Sequence, residues 1–412
     1  MSRVLFLTES FFPVLGGGEQ HILRLARRLA AAGDAATVVT RRSEAAWPAE
    51  EVVDGVRVVR VAPSGPARSG KYKMLPSAFA ATLRELRRHD VLVVRGTRVL
   101  GLPGLLAARL RCRPTVVQAE INGELSGEAY AWGTPLHGGP GERVVRAATW
   151  LRNRLLLDAD AFVAMSREIA AEFAAAGVSR EKLVLLPHAV DRRRFRPASD
   201  DERAALRQRL GLPASALVVI YTGRLLRGKG LSGLVEAFAL LPPRAHLALV
   251  GSGAGQALSI EEALRADVRA RGLDARVTFA GHVENVEDWL RAADVFAFPS
   301  VYEALGLSLV EAAACGLACV GSRTGGIVDV IDDRQSGLLV PPGDTLALAA
   351  ALEGLVEDAE LRRRLGGAAV EVVRARFDEE QAVERYRALF GELASRRGRI
   401  VPWSAGVSAR RG

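Results

Sequence analysis

Short runs that are apolar at nearly every position recur along this chain, separated by longer stretches whose apolar residues repeat every three to four positions. Such runs predict strands near Val4–Thr8, Thr37–Thr40, Val56–Val61, Val91–Val94, Thr115–Gln118 and Ala161–Ser166 in the first half. In the second half they fall near Val218–Thr222, Leu247–Val250, Val277–Ala280, Val295–Phe298 and Ala318–Gly321. The stretches between them carry helical stripes, as in Glu19–Ala32, where Ile22, Leu25, Ala26 and Leu29 share a face and Gly33 stops the helix. Similar stripes mark Pro76–His89 (Phe79, Leu83, Leu86) and Asp378–Leu393 (Ala382, Tyr386, Leu389, Phe390). Strand and helix patterns alternating throughout predict an α/β chain with parallel sheets.

The halves echo each other. Asp160-Ala-Phe-Val-Ala-Met-Ser166 matches Asp294-Val-Phe-Ala-Phe-Pro-Ser300 in spacing and character, and each half opens with a buried strand followed by a Gly-rich loop. The pattern predicts two Rossmann-like domains, residues 1–190 and 191–377. The linker runs from Pro187 to about Leu212 with a helix inside it, and residues 396–412 read as a basic tail. A length of 412 residues fits two domains, and 49% apolar with 25% charged residues fits a folded enzyme rather than a disordered chain.

Charge changes the picture in the first half only. Residues 1–190 hold 26 Lys/Arg against 18 Asp/Glu, a balance of +8, while residues 191–412 hold 30 against 29. The densest part, Arg68 to Arg113, has eleven basic residues against Glu85 and Asp90. It suits an anionic partner and, equally, a solvated Arg-rich face. Nucleic acid is disfavoured, because only 6% of residues are aromatic. Three cysteines (Cys112, Cys315, Cys319) make no disulfide framework, and the six histidines show no metal-ligand spacing. Glu9 interrupts the apolar N-terminal run, which therefore reads as a strand and not a signal peptide. A reducing, cytoplasmic setting is expected.

Three loops carry candidate chemistry. Pro13 to Glu19 contains Gly16-Gly17-Gly18 ahead of a helix, either a seat for a phosphate or a tight turn that needs glycine for space. Gly223-Arg224-Leu-Leu-Arg227-Gly228-Lys229-Gly230 offers two cations that can clamp a diphosphate from two sides. It is not a P-loop, since Gly230 stands where Ser or Thr is required. The third loop, Pro299 to Gly316, carries Glu303 and then Glu311, read here in the first turn of a helix. Two carboxylates in apolar surroundings at the end of a strand need hydroxyl partners, such as those of a sugar and a ribose. Gly251 lies in a strand-to-helix loop that resembles a dinucleotide fingerprint but has the wrong glycine spacing.

Taken in order and spacing, these pieces resemble glycosyltransferase family 4, the retaining enzymes of GT-B fold. The loop at Gly16–Glu19, Pro187-His-Ala-Val-Asp191, the G-R-x-x-x-x-K-G loop from Gly223, Leu249 to Gly253, Phe279 to Gly281, Glu303 with Glu311, and Gly325-Gly326 carry the resemblance, from Val4 to about Phe390. It implies two Rossmann-like domains facing across a cleft, with the last helix (residues 378–395) returning to the first domain. It implies hexosyl transfer from an NDP-sugar, UDP- or GDP-linked, to a lipid-linked, polysaccharide or small-molecule hydroxyl acceptor, in cell-envelope polysaccharide synthesis. The nucleotide sugar is a substrate; neither a cofactor nor a metal is expected. Arg224, Lys229 and Glu303 would be the catalytic set. Gly16, Gly17, Gly223, Gly251, Gly281, His282, Val283, Ala304, Leu305, Gly306, Leu307 and Glu311 would bind the donor.

One departure stands out. Many members place a His after the strand ahead of the acceptor region, where this chain reads Gln118-Ala119-Glu120-Ile121-Asn122-Gly123-Glu124. Glu120, Asn122 and Glu124 are the candidates to contact sugar or acceptor instead. The Pro76–His89 helix is either core-packed or a dock for the basic domain on an anionic membrane at its inner face. Epimerases and phosphorylases of the same fold, and a non-catalytic binder of anionic ligands, are the competing readings.

Overall fold

A computed structural model describes residues 1–14, 16–65, 67, 69–127, 140–256 and 258–396. Arg68 and all of the basic tail except Arg396 lie outside them. The chain forms two compact units: residues 1–186 with those from Gln381 onward, and residues 187–380.

The first unit holds an eight-stranded sheet. Its strands are β1 (Arg3–Leu7), β2 (Ala35–Arg41), β3 (Glu50–Val53), β4 (Val56–Val61), β5 (Val91–Arg95), β6 (Thr115–Gln118), β7 (Ala161–Ala164) and β8 (Leu183–Leu185), in the order β3-β4-β2-β1-β5-β6-β7-β8. Every pairing is parallel except β3 with β4. Because neighbouring residues of a strand point to opposite faces, Val4 and Phe6 fill one core and Leu5 and Leu7 the other. On the first face lie helix α1 (Gly17–Ala31), through the expected Ile22, Leu25, Ala26 and Leu29, and Tyr386, Phe390 and Leu393 from the chain's last described helix. On the second lies α2 (Leu75–Glu85) with Ala78 and Ala81, beside α3 (Gly101–Leu110) with Ala107 and Ala108.

Of the two readings of the Pro76–His89 stripe, its apolar residues follow the core-packed one: Leu86 is fully buried and Phe79 and Leu83 pack against the same core. Among the described residues no helix is long and apolar enough to cross a bilayer.

The second unit holds six parallel strands, β9 (Leu217–Thr222), β10 (Ala245–Val250), β11 (Val277–Gly281), β12 (Val295–Phe298), β13 (Ala318–Ser322) and β14 (Leu338–Val340), in the order β11-β10-β9-β12-β13-β14. It is entered through α4 (Asp200–Leu210), where Ser199 and Glu202 satisfy each other's backbone N–H and Gly211 ends the helix in the left-handed conformation. The repeated Asp at strand entrances has one structural job. Asp160 accepts from the Thr115 N–H at 2.8 Å and Asp294 from the Val218 N–H at 2.7 Å, each tying its own strand to the start of a neighbour. Asp90 does the same for Arg3 at 3.0 Å.

Candidate functional site

In the second unit the donor candidates lie on loops at the carboxyl ends of β9 to β12, the edge where parallel sheets gather ligand-binding groups. Two loops are fastened together. The Val301 N–H donates to the Gly228 carbonyl at 2.9 Å, and Gly230, at φ 70°, lies so close to Pro299 that a Cβ would run into its carbonyl oxygen. This close approach brings Lys229 Nζ to 2.5 Å from Glu303 Oε2, although 74 positions separate them. The pair is partly exposed, with 22% and 16% of the side chains open to solvent. Arg224 is exposed on the same loop, and among the described residues no ion pair engages it. Its carbonyl accepts from the Tyr221 hydroxyl at 3.1 Å, which fixes the backbone and leaves the guanidinium free.

Glu303 is held from behind. Its carbonyl accepts from the Gly326 N–H at 3.0 Å, and Gly325, at φ 54°, touches the same peptide so closely that any side chain would clash with it. Ala304 to Leu307 lead into α5 (Leu307–Ala314), whose start at Gly306 has no side-chain cap. The helix starts where expected, at Leu307, but Glu311 is its fifth residue and lies just past the first turn, which corrects the expectation that it sits within it. Its side chain is 5% exposed and interacts electrostatically with Arg194. Arg194 also donates to Glu287 at 2.7 Å and to the Glu284 carbonyl at 3.1 Å. Arg194 was not among the candidates, although it lies in the linker and in the Pro187…Phe195 segment that shares the resemblance. Gly223 and Gly251 lie side by side, the Gly223 N–H bonding to Val250, and the Gly251 N–H donates to the Gly281 carbonyl at 2.7 Å. Thus Gly281, with the exposed His282 and half-buried Val283, continues the same edge.

In the first unit, Gly16 is the extended residue before α1 and Gly17 opens that helix without a side-chain cap. The Glu19 carboxylate folds back over Gly16, and the Arg95 guanidinium lies on Gly18, donating to its carbonyl at 2.8 Å. The loop after β6 is fixed from two sides. Glu124 is fully buried: its Oε1 accepts from the N–H groups of Glu120 (2.9 Å) and Ile121 (3.3 Å), and its Oε2 from the N–H (2.7 Å) and hydroxyl (2.6 Å) of Thr97. Glu172 accepts from the N–H groups of Gly123, Leu125 and Ser126 at 2.6–2.8 Å. With both oxygens engaged and no exposure, Glu124 organises the loop and does not face a ligand, which corrects its candidacy. Glu120 and Asn122 have no such employment. Asn122 is 6% exposed and, among the described residues, neither amide atom has a partner. Glu120 is half-buried, and its carboxyl is pushed up to about 7, first by burial; Arg95 opposes this, while Glu124, Glu19 and Glu9 add to it. Sequence reasoning missed Arg95, Glu9 and Glu19; the one signal for Arg95 is a charge closing the apolar run Val91–Val94.

Comparison with known proteins follows the same division. Residues 16–189 match the model for a glycosyl transferase 4-like domain and residues 202–372 that for glycosyl transferases group 1. The chain is 32% identical over 398 residues to a D-inositol 3-phosphate glycosyltransferase from Xylanimonas cellulosilytica, covering 93% of each chain. It is 33% identical over 414 residues to the like-named protein of Kineococcus radiotolerans, again covering 93% of each. Among solved structures, sucrose-phosphate synthase from Thermosynechococcus elongatus superposes with a TM-score of 0.81 at 26% identity, over 96% of this chain and all of that one.

Proposed function

The chain belongs to the GT4-type glycosyltransferases of GT-B fold, and from that premise we propose that it moves a hexosyl unit from a UDP- or GDP-linked sugar to a small hydroxylated acceptor, retaining anomeric configuration. The observation that carries the donor half is the Lys229–Glu303 pair beside the free Arg224 and the uncapped start of α5. Departure of the nucleoside diphosphate builds negative charge on phosphate oxygen. Lys229, Arg224 and the first N–H groups of α5 oppose that charge and stabilise it most when it is largest, in the transition state. Once the diphosphate claims Lys229, Glu303 is released to the donor sugar's hydroxyls. Glu311 takes the ribose hydroxyls, and the backbone at Gly281–Val283 borders the base. The reading asks for no metal and no cofactor, because the cations of the protein hold the leaving group.

The small-molecule acceptor is favoured over a polysaccharide or lipid-linked one because the relatives are named for D-inositol 3-phosphate and sucrose phosphate. A cytoplasmic reaction fits such an acceptor. The test is thermal stabilisation by UDP, GDP and ADP of the wild type, Lys229→Ala and Glu311→Ala. A nucleotide at a hundredfold its dissociation constant stabilises the wild type by roughly 2.7 kcal/mol. Loss of that effect in both variants is the expected result. A wild type that responds to none of the three overturns the donor assignment.

A further inference from the structure

At the carboxyl ends of β1, β5 and β6, the Glu120 carboxylate lies against Gly96, next to the buried Arg95, and Glu9 and Glu19 are within electrostatic reach of Glu120. All three acids are half-buried, and among the described residues no hydrogen bond or ion pair engages any of their carboxylates. Arg95 is 2% exposed and within electrostatic reach of Glu120, yet among the described residues it forms no ion pair and its Nε has no partner. A buried guanidinium that close to carboxylates normally collapses onto one of them, because an unpaired buried charge is costly. Here the Arg95 head is held on the Gly18 carbonyl at 2.8 Å, and the loop of Glu120 is held by Glu124 and Glu172. The unmade bonds are therefore built in by a rigid scaffold. Asn122, on the same rigid loop, adds a buried amide whose donor and acceptor are both unused.

Those groups specify a ligand. An amide with free oxygen and nitrogen, together with carboxylates, suits vicinal hydroxyls, which donate and accept at once. Three carboxylates against one guanidinium leave an excess of negative charge that a phosphate would worsen and an ammonium would relieve. We infer that this carboxylate-rich pocket is the acceptor subsite and that it selects a hydroxylated ring bearing an amino group, in preference to a phosphorylated one. The inference rests on the glycosyltransferase reading and names the acceptor class. It sets this chain apart from what its relatives' names describe. The field of the whole molecule runs the other way: with a formal charge of +9, the protein attracts phosphates and repels amines at long range. A preference for amines must therefore arise locally.

The experiment is ligand binding by saturation-transfer NMR to the full chain, with two ring series as probes: glucosamine, glucose and glucose 6-phosphate, and an amino-inositol, inositol and inositol phosphate. In at least one series the amine should bind about tenfold tighter than the phosphate. Glu120→Gln, which keeps the shape, should shrink that ratio several-fold. Asn122→Ala should weaken all three members of the series alike. Phosphates binding as well as amines in both series, or a ratio unmoved by Glu120→Gln, overturns the inference. Stabilisation by nucleoside diphosphate is measured on the same samples. If it persists while the amine preference fails, only the acceptor class is wrong.

Discussion

Glu124→Gln is the substitution whose effect the geometry fixes most tightly. The carboxylate is fully buried and accepts four hydrogen bonds, three from backbone N–H groups and one from the Thr97 hydroxyl. Glutamine keeps one oxygen, so it can serve only one of the two donor pairs. The other pair then faces an NH2 group: the Thr97 hydroxyl can turn to accept from it, but a backbone N–H cannot, so at least one N–H is left unmet. Hydrogen bonds to a charged acceptor are worth about 1.5–3 kcal/mol each, and a buried donor left unmet costs about 1–3 kcal/mol. At least one unmet N–H and the weakening of the remaining bonds once the charge is gone give about 2–4 kcal/mol, a large share of the stability of a unit this size. Urea unfolding should show one transition moving down by about 1–2 M at a typical slope, and the transition of the second unit unmoved. Hydrogen exchange should localise the change, with protection falling at Thr97 and at Glu120–Ile121. A loss below about 1 kcal/mol, with protection unchanged at those amides, would refute the reasoning that Glu124 is the keystone of the loop.

Other expectations follow from the same contacts. Gly325→Ala forces a methyl into the Glu303 peptide; it should destabilise the second unit by about 1–3 kcal/mol and weaken nucleotide-dependent stabilisation, read by thermal melting. Glu120 holds its proton more tightly in the folded chain, pushed up to about 7 from an ordinary 4.5, so the native state binds more protons between those values and wild-type stability falls as pH rises through that window. Glu120→Gln removes the penalty. It should be more stable than wild type by about 1 kcal/mol at pH 8 and equal to it at pH 4, and denaturation curves that stay parallel across that range would contradict the shift.

The sheets were legible because their central strands are apolar on both faces. Val56–Val61, Thr115–Gln118 and Val295–Phe298 fall where the pattern predicts, and most of the others differ at their ends by only a residue or two. The three strands left unread are edges. β3 is Glu50-Glu51-Val52-Val53, half solvated, and β8 and β14 have three residues each, so none offers a continuous apolar run. The cations and carboxylates of the second unit were legible as residues, but their pairing was not. It depends on Gly230 meeting Pro299, a contact between distant loops. In the first unit the sequence could not separate Glu120 from Glu124. What distinguishes them is Thr97, on another loop, which occupies one acid and leaves the other open. Arg95 ends β5, Glu9 follows β1 and Glu19 opens α1, with no shared spacing, and only the fold brings these segments together.

The last described helix, α6 (Glu379–Ser395), has a consequence for how the protein is made. Tyr386, Phe390 and Leu393 complete the core that covers one face of the first sheet, with Phe390 edge-on to Phe6 at 6.5 Å. A ribosome moving along the message thus finishes all eight strands of that sheet roughly two hundred residues before it supplies their cover. The second unit is continuous from Pro187 to Glu380, and its residues all emerge while the first sheet still exposes Val4, Phe6 and Val93. The sheet translated first is sealed last. A nascent chain stalled near Leu186 should be held by chaperones, and the helix added as a separate peptide should release it.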